Sequence, residues 1–174
     1  MLPRLSFVLG GAASGKSLFA EKLISQADAP KVYLATAQAF DVEMKDKIAA
    51  HQVQRGAGWV TIEEPLNIAD VLADLPDGHV VLVDCATLWL TNVLMAEQDV
   101  TAMSQEFCAA LVGCSAKVVV VSNEVGHGIV PDNALSRRFR NAQGRLNQMI
   151  AAEADYVVNV VAGLPMVLKG ALPV

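Results

Sequence analysis

The strongest chemical signal in the sequence is a glycine-rich stretch near its start that ends in a lysine and a serine. Residues Gly10 to Ser17 match the pattern G-x-x-x-x-G-K-[ST]. The glycines let successive backbone N–H groups turn toward phosphate oxygens. Lys16 is expected to reach the β- and γ-phosphates, and the Ser17 hydroxyl is expected to bind Mg²⁺. The stretch therefore predicts a P-loop that holds the triphosphate of a nucleotide.

A magnesium ion bound to Ser17 needs an acidic partner at the end of a buried strand. Asp84 ends the apolar run His79–Asp84 and meets this requirement. An alternative role for Asp84 is the N-cap of a helix that begins near Thr87. We favour the metal site, because the P-loop independently demands such a partner.

A histidine and an arginine four residues apart, His51 and Arg55, form a second group with chemical potential. An imidazole can act as a nucleophile or base, and a guanidinium can neutralise a developing phosphate charge. The same spacing also fits one face of an ordinary helix. Spacing alone leaves both interpretations open.

The elements that must position these residues alternate along the chain. Apolar runs predict strands at Leu5–Leu9, Lys31–Thr36, Trp59–Glu63, His79–Asp84 and Lys117–Ser122. Apolar residues at helical spacing predict a helix at Leu18–Ser25, and helix-like patterns predict further helices at the polar stretch Asp41–Val53 and at Leu66–Leu75, Thr87–Met95, Ala102–Val112 and Asp132–Ala154. A hairpin is predicted from Tyr156–Val161 and Met166–Lys169, with its turn at Gly163-Leu164-Pro165. The alternation predicts one domain, residues 1–174, with an α/β, P-loop NTPase-like fold: a mostly parallel, doubly wound sheet with a C-terminal antiparallel hairpin.

Composition narrows the classes of function. A net charge of −5 gives no electrostatic reason to expect a nucleic-acid partner. Although 53% of the residues are hydrophobic, no apolar run approaches the ~20 residues of a bilayer span, so we expect no membrane span. The three cysteines lack a CxxC spacing and are interpreted as free thiols of a cytoplasmic protein. The high apolar content is consistent with surface buried between subunits.

Further short motifs are spread over nearly the whole chain. They are Tyr33-x-Ala35-Thr36, Glu43-Met44, Ile48, His51, Arg55, Trp59, Glu63, Thr91-Asn92, Asn123-Glu124-Val125-Gly126-x-Gly128-Ile129-Val130-Pro131, Phe139-Arg140, Gly144-Arg145 and Asn147-Gln148. Together with the P-loop, this set resembles the bifunctional adenosylcobinamide kinase/adenosylcobinamide-phosphate guanylyltransferases of cobalamin biosynthesis. The run from Asn123 to Pro131 is far more specific than the P-loop, which many kinases share.

The resemblance implies two catalytic residues, Lys16 and His51, and two successive reactions. The first phosphorylates the aminopropanol hydroxyl of adenosylcobinamide with ATP or GTP. In the second, GTP guanylylates His51, and the GMP passes to adenosylcobinamide phosphate. The implied nucleotide-binding residues are Gly10, Gly11, Ala12, Ala13, Ser14, Gly15, Lys16, Ser17, Ala35, Thr36, Ala37, Gln52, Val53, Gln54, Arg55, Glu63 and Asp84. Ser17 and Asp84 are the expected Mg²⁺ ligands, and the family's oligomer is a homotrimer.

The sequence leaves two alternative functions open. A P-loop kinase of another small hydroxylated substrate would keep the phosphate loop and use His51 only structurally. A nucleotide-binding regulatory module would bind nucleotide without turnover. The intact set of Lys16, Ser17 and Asp84 argues against the second alternative.

Overall fold

A computed structural model of the protein describes residues 2–37 and 58–171, which form seven strands and five helices. The strands are β1 (Leu5–Gly10), β2 (Lys31–Ala35), β3 (Trp59–Glu63), β4 (Val80–Asp84), β5 (Lys117–Asn123), β6 (Tyr156–Val161) and β7 (Leu164–Lys169). The helices are α1 (Lys16–Ser25), α2 (Ile68–Asp74), α3 (Ala86–Met95), α4 (Val100–Gly113) and α5 (Ala134–Glu153). The helix predicted at Asp41–Val53 lies outside the described residues.

All seven strands join one sheet, in the order β3-β2-β4-β5-β1-β6-β7. Every neighbouring pair is parallel except β6 and β7, which are antiparallel. The predicted sheet and its C-terminal hairpin are confirmed. Because β1, β4 and β5 run in the same direction, their last residues Gly10, Asp84 and Asn123 share one edge of the sheet.

The described helices cover both faces of this sheet. On one face, α1 packs with Ala20 and Ile24 against the alternating residues Val119 and Val121 of β5. On the other face, side chains from α2, α3, α4 and α5 pack against the remaining strand residues, and this larger core is centred on Trp89 and its neighbours. The side chains of β5 therefore alternate between the two faces, as buried parallel strands require.

The turn of the C-terminal hairpin lies earlier in the chain than the predicted turn at Gly163-Leu164-Pro165. Val161 pairs with Leu164, so Ala162 and Gly163 form a two-residue turn, with φ angles of 51° and 78°. Both residues are left-handed, which is the conformation of the turn that matches the twist of a hairpin. Pro165 belongs to β7 rather than to the turn, and this is tolerated because β7 is an edge strand.

The remaining boundaries differ from the predicted ones by small shifts at their ends. The longest helix begins at Ala134 instead of Asp132, because Asn133 is its N-cap and accepts a hydrogen bond from Ser136 N–H. Within the described ranges, no helix combines the length and apolar character needed to cross a membrane.

Candidate active site at the phosphate loop

The glycine-rich stretch forms the connection between β1 and α1, as the motif requires. Gly10 is the last residue of β1, and Lys16 is the first residue of α1. Gly15 precedes the helix with a φ of 92°, a conformation that costs a glycine nothing. The Lys16 ammonium donates a hydrogen bond of 3.1 Å to the carbonyl oxygen of Gly11, so the lysine side chain folds back over the loop. The first N–H groups of α1 are therefore presented where an anion can bind.

Gly10 is required by close packing at the start of the loop. A Cβ on Gly10 would clash with Ser14 Oγ and would lie 2.8 Å from the carbonyl oxygen of Val160. The second contact is with backbone and cannot be relieved by a rotamer change. The curled loop thus leaves no room for any other residue at this position.

Asp84 ends β4 at the same edge of the sheet, and its side chain is oriented by a tyrosine. Tyr33 Oη donates a 3.0 Å hydrogen bond to Asp84 Oδ2. The N-cap of the following helix α3 is Cys85, whose Sγ accepts from Leu88 N–H at 3.5 Å. The alternative role of Asp84 as this helix cap is therefore wrong.

The pKa of the buried Cys85 thiol is shifted by burial and by the charges of neighbouring side chains. Burial raises the pKa of its thiol to about 12, and the negative charge of Asp84 raises it too. The positive charge of Lys16 acts on the same thiol in the opposite direction. Asp84 ends β4 and Lys16 begins α1 directly after the loop that follows β1, so both charges lie at the edge of the sheet where these strands end.

The predicted nucleotide contacts of β2 and β3 lie further along the edge. Ala35 pairs with Glu63, and both strands lie on the far side of β4 from the phosphate loop. The Thr36 hydroxyl donates to Cys85 O and accepts from Cys85 N–H, both at 2.8 Å. Thr36 is fully buried, so its hydroxyl already has a structural role that the sequence did not reveal. Ala37 follows it and is half-buried.

Five predicted site residues lie outside the described ranges: His51, Gln52, Val53, Gln54 and Arg55. Their roles stay predictions. Among the described residues, no group of three or more His, Cys, Asp or Glu side chains is arranged to hold a metal ion. A magnesium site at Ser17 and Asp84 would use one hydroxyl and one carboxylate instead.

The structure also brings to this edge a buried polar cluster that sequence reasoning missed. It comprises the side chains of Thr87, Ser122, Gln143 and Asn147, which surround the main chain of Asn123. Asn123 and Asn147 entered the sequence analysis only as parts of a family resemblance, without a role. The available signal was the polar pair Ser122-Asn123 at the end of an apolar strand, together with Gln143 and Asn147 one helical turn apart.

A sequence model of the family described as cobinamide kinase / cobinamide phosphate guanyltransferase matches residues 6–168. The chain belongs to this family. It is a bifunctional cobinamide kinase and cobinamide-phosphate guanylyltransferase, as the resemblance implied.

Two curated proteins resemble this cobinamide kinase/guanyltransferase over nearly their whole length. The bifunctional adenosylcobalamin biosynthesis protein CobP of Pseudomonas aeruginosa is 45% identical over 166 residues, covering 94% of this chain and 96% of the relative. The bifunctional adenosylcobalamin biosynthesis protein CobU of Salmonella typhimurium is 44% identical over 179 residues, covering 93% of this chain and 98% of the relative.

Solved structures with little sequence identity share the fold of the enzyme. The flagellar accessory protein FlaH from Methanocaldococcus jannaschii has a TM-score of 0.54 and 13% identity, over 97% of this chain and 80% of its own. A prototypical ATPase of a bacterial type III secretion system has a TM-score of 0.59 and 11% identity, over 95% of this chain and 57% of its own. At these identities the likeness concerns the fold alone, and it agrees with a P-loop NTPase-like architecture.

Proposed function

We propose that residues 1–174 act as one catalytic domain of adenosylcobalamin biosynthesis, whose phosphate loop serves two successive reactions. The first transfers the γ-phosphate of ATP or GTP to the aminopropanol hydroxyl of adenosylcobinamide. The second transfers GMP from GTP, through His51, to adenosylcobinamide phosphate and yields adenosylcobinamide-GDP. The observation that carries the proposal is the position of the loop, which joins β1 to α1 and ends in Lys16 and Ser17 at the sheet edge where β4 ends in Asp84.

In the kinase reaction, the substrate hydroxyl oxygen bonds to the γ-phosphorus while the bond from that phosphorus to the bridging oxygen breaks. The nucleoside diphosphate leaves, and the hydroxyl proton is released. Lys16 neutralises charge on the β- and γ-phosphates, and the N–H groups of residues Gly10 to Ser17 hold them in line. The contact of Lys16 with Gly11 O supports this role, because it keeps the ammonium over the loop.

The residues at the edge fit a magnesium ion. Ser17 offers a hydroxyl at the start of α1, Asp84 offers a carboxylate, and hard oxygen donors are the ligands that Mg²⁺ prefers. The hydrogen bond from Tyr33 fixes one carboxylate oxygen, as outer groups commonly do for metal ligands. A bound Mg²⁺ would supply charge neutralisation on the phosphates.

In the guanylyl reaction, a neutral imidazole nitrogen of His51 attacks the α-phosphorus of GTP. A P–N bond forms, the bond between the α-phosphorus and the β-bridging oxygen breaks, and pyrophosphate leaves toward Lys16. A phosphate oxygen of adenosylcobinamide phosphate then attacks the same phosphorus and releases His51. Arg55 neutralises the α-phosphate during both attacks. Because the attacking imidazole must be unprotonated, we expect guanylylation to fade in mild acid.

The test is covalent labelling of the full-length protein with GTP that carries a radioactive α-phosphate. We expect an acid-labile, base-stable label, which intact-protein and peptide mass spectrometry locate on His51. His51→Ala should abolish the label and keep the kinase reaction. His127→Ala is the matched control, because His127 is an exposed histidine of the described chain, and it should label normally.

Two results would contradict the guanylyl mechanism. One is the absence of any label while the kinase reaction proceeds, and the other is a label that survives in His51→Ala. The first result would favour a kinase in which His51 is structural.

We also propose that the protein works as a homotrimer in the cytoplasm, as members of the family do. Support for a subunit contact comes from the edge strand β7, where Leu164 is 71% and Leu168 is 56% exposed. The free thiols of Cys85, Cys108 and Cys114 fit a reducing compartment. Sedimentation equilibrium should give three times the chain mass of 18.4 kDa, and a monomer mass at all concentrations would exclude the trimer.

A further inference from the structure

The last residue of β5, Asn123, has its main chain held by side chains from two different helices. Its N–H donates to Thr87 Oγ1 of α3 at 2.8 Å. Its carbonyl oxygen accepts from Asn147 Nδ2 of α5 at 3.1 Å. Thr87 and Asn147 are 6% and 7% exposed, so both bonds are shielded from water. Buried hydrogen bonds are electrostatically stronger than exposed ones, because the local dielectric constant is low.

A second layer of hydrogen bonds orients the Asn147 carboxamide. Its Oδ1 accepts from Ser122 Oγ at 2.7 Å and from Gln143 Nε2 at 2.9 Å. Gln143 also donates to Ser122 Oγ at 2.9 Å, and both of these residues are fully buried. Because two donors meet Oδ1, the amide nitrogen of Asn147 must point the other way, toward the Asn123 carbonyl.

The clamped residue lies directly beside the phosphate loop. Asn123 is paired with Gly10 across the neighbouring strand, and the next N–H, that of Glu124, donates to Gly10 O at 3.1 Å. Any shift of the end of β5 would therefore move the first residue of the loop. Through this path, α3 and α5 are connected to the part of the protein that binds phosphate.

The Asn123 side chain lies on the face of the sheet that α1 covers. Side chains alternate along β5, and Val119 and Val121 of the same parity pack on the α1 face. Asn123 Oδ1 is buried and accepts no hydrogen bond from any residue in the described ranges. A buried acceptor without a donor destabilises the protein, and a donor from a ligand would remove that penalty.

We propose that Asn123 is a further active-site residue of the kinase reaction and that Thr87 and Asn147 are the positioning residues that hold it. Asn123 Oδ1 accepts a hydrogen bond from an O–H group at the phosphates, the class to which the attacking hydroxyl belongs. The proposal rests on the proposed binding of the triphosphate at Gly10 to Ser17. The buried polar cluster thus affects the rate of the kinase reaction and not only the stability of the protein.

The test measures kcat and KM of the kinase reaction together with the affinity for a fluorescent GTP analogue. Asn123→Ala should lower kcat at least about tenfold, since one hydrogen bond made in the transition state is lost. Thr87→Val keeps the shape of Thr87 but removes its acceptor, and it should lower kcat about 10- to 100-fold, as misplacement of a reacting group does. Thr87→Ser restores the hydroxyl and should recover most of kcat.

Asn147→Asp adds a signature that a purely structural role would not produce. Its carboxyl still accepts at one oxygen, but the second oxygen can donate to the Asn123 carbonyl only when protonated. The kcat of this variant should therefore fall as pH rises, relative to the parent enzyme, while the variant stays folded by circular dichroism. Assays are run well below each variant's Tm.

Two controls separate this proposal from its alternatives. Trp89→Phe loses the hydrogen bond to Leu66 O in a distant part of the core, and it should lower Tm while kcat stays within about threefold. If kcat of Thr87→Val and Asn123→Ala also stays within this range, the cluster is only structural and the proposal is wrong. Lys16→Ala tests the proposed phosphate site itself, because full activity in that variant would overturn the site whatever Asn123 does.

Discussion

Gly163 donates its main-chain N–H to the carbonyl oxygen of Ser14 at 2.8 Å, which joins the turn of the C-terminal hairpin to the phosphate loop. Gly15 also packs closely against this turn, since a Cβ added to Gly15 would lie 3.2 Å from Gly163 Cα. The hairpin strand β6 also pairs with β1, the strand that leads into the loop. The hairpin therefore supports the loop from the side as well as extending the sheet.

The left-handed turn at Gly163 provides the first prediction. Gly163→Ala should destabilise the protein by about 1–2 kcal/mol, because an alanine at a φ of 78° is strained although its Cβ has open space. Gly163→Asn should cost less, because asparagine tolerates this region better. Urea unfolding measures the difference in the free energy of unfolding. Equal losses for both variants would show that backbone conformation is not what matters at this position.

The crowding at Gly10 predicts a selective loss of nucleotide binding. Gly10→Ala forces a Cβ against Val160 O, and overpacking of this kind costs about 1–3 kcal/mol. If the loop shifts to relieve the clash, affinity for a fluorescent GTP analogue should fall about tenfold or more. Gly113→Ala, at the end of α4 with open space around its Cβ, is the control and should bind as the parent does. Unchanged affinity in Gly10→Ala would mean that the loop adapts freely.

The raised thiol pKa of Cys85 predicts how stability changes in alkali. Burial raises its pKa from 9.0 to about 12, so between these values the unfolded chain ionises while the folded chain does not. The contribution of Cys85 to stability is thus complete below about pH 9 and decreases as pH rises toward 12. Cys85→Ser should flatten this part of the stability curve, measured by urea unfolding at each pH. A parallel curve in the variant would assign the decline to other groups, among them Cys108, whose pKa burial raises to about 11.

Trp89 at the centre of the larger core predicts the size of a packing defect. It is 1% exposed, its ring centroid lies 4.8 Å from that of Phe107, and its Nε1 donates to Leu66 O at 2.9 Å. Trp89→Ala should destabilise the protein by about 3–5 kcal/mol through the cavity it leaves. Met95→Ala is the comparison, because Met95 is 70% exposed and its loss should be small. Similar losses for the two variants would contradict the central position of Trp89 in the core.

Much of the fold was readable from local patterns. The P-loop motif, the apolar run ending in Asp84 and the alternation of strands and helices each depend on residues close together in the chain. They predicted the α/β class, the parallel direction of the strands and the edge on which Gly10 and Asp84 meet. The hairpin was also predicted, but its turn was misplaced because a proline in an edge strand resembles a turn signal.

The tertiary structure alone decided which distant residues became partners. The pattern does not set the order of strands, and only that order places β5 between β1 and β4. The tertiary structure also brings Asn147 to Asn123 and Gly163 to Ser14. The members of each pair are far apart in the chain. Local periodicity carries no information about such contacts, because they depend on how separate elements pack. The sequence therefore determined which residues form the predicted phosphate loop, and the packing of helices and hairpin decided which residues hold that loop in place.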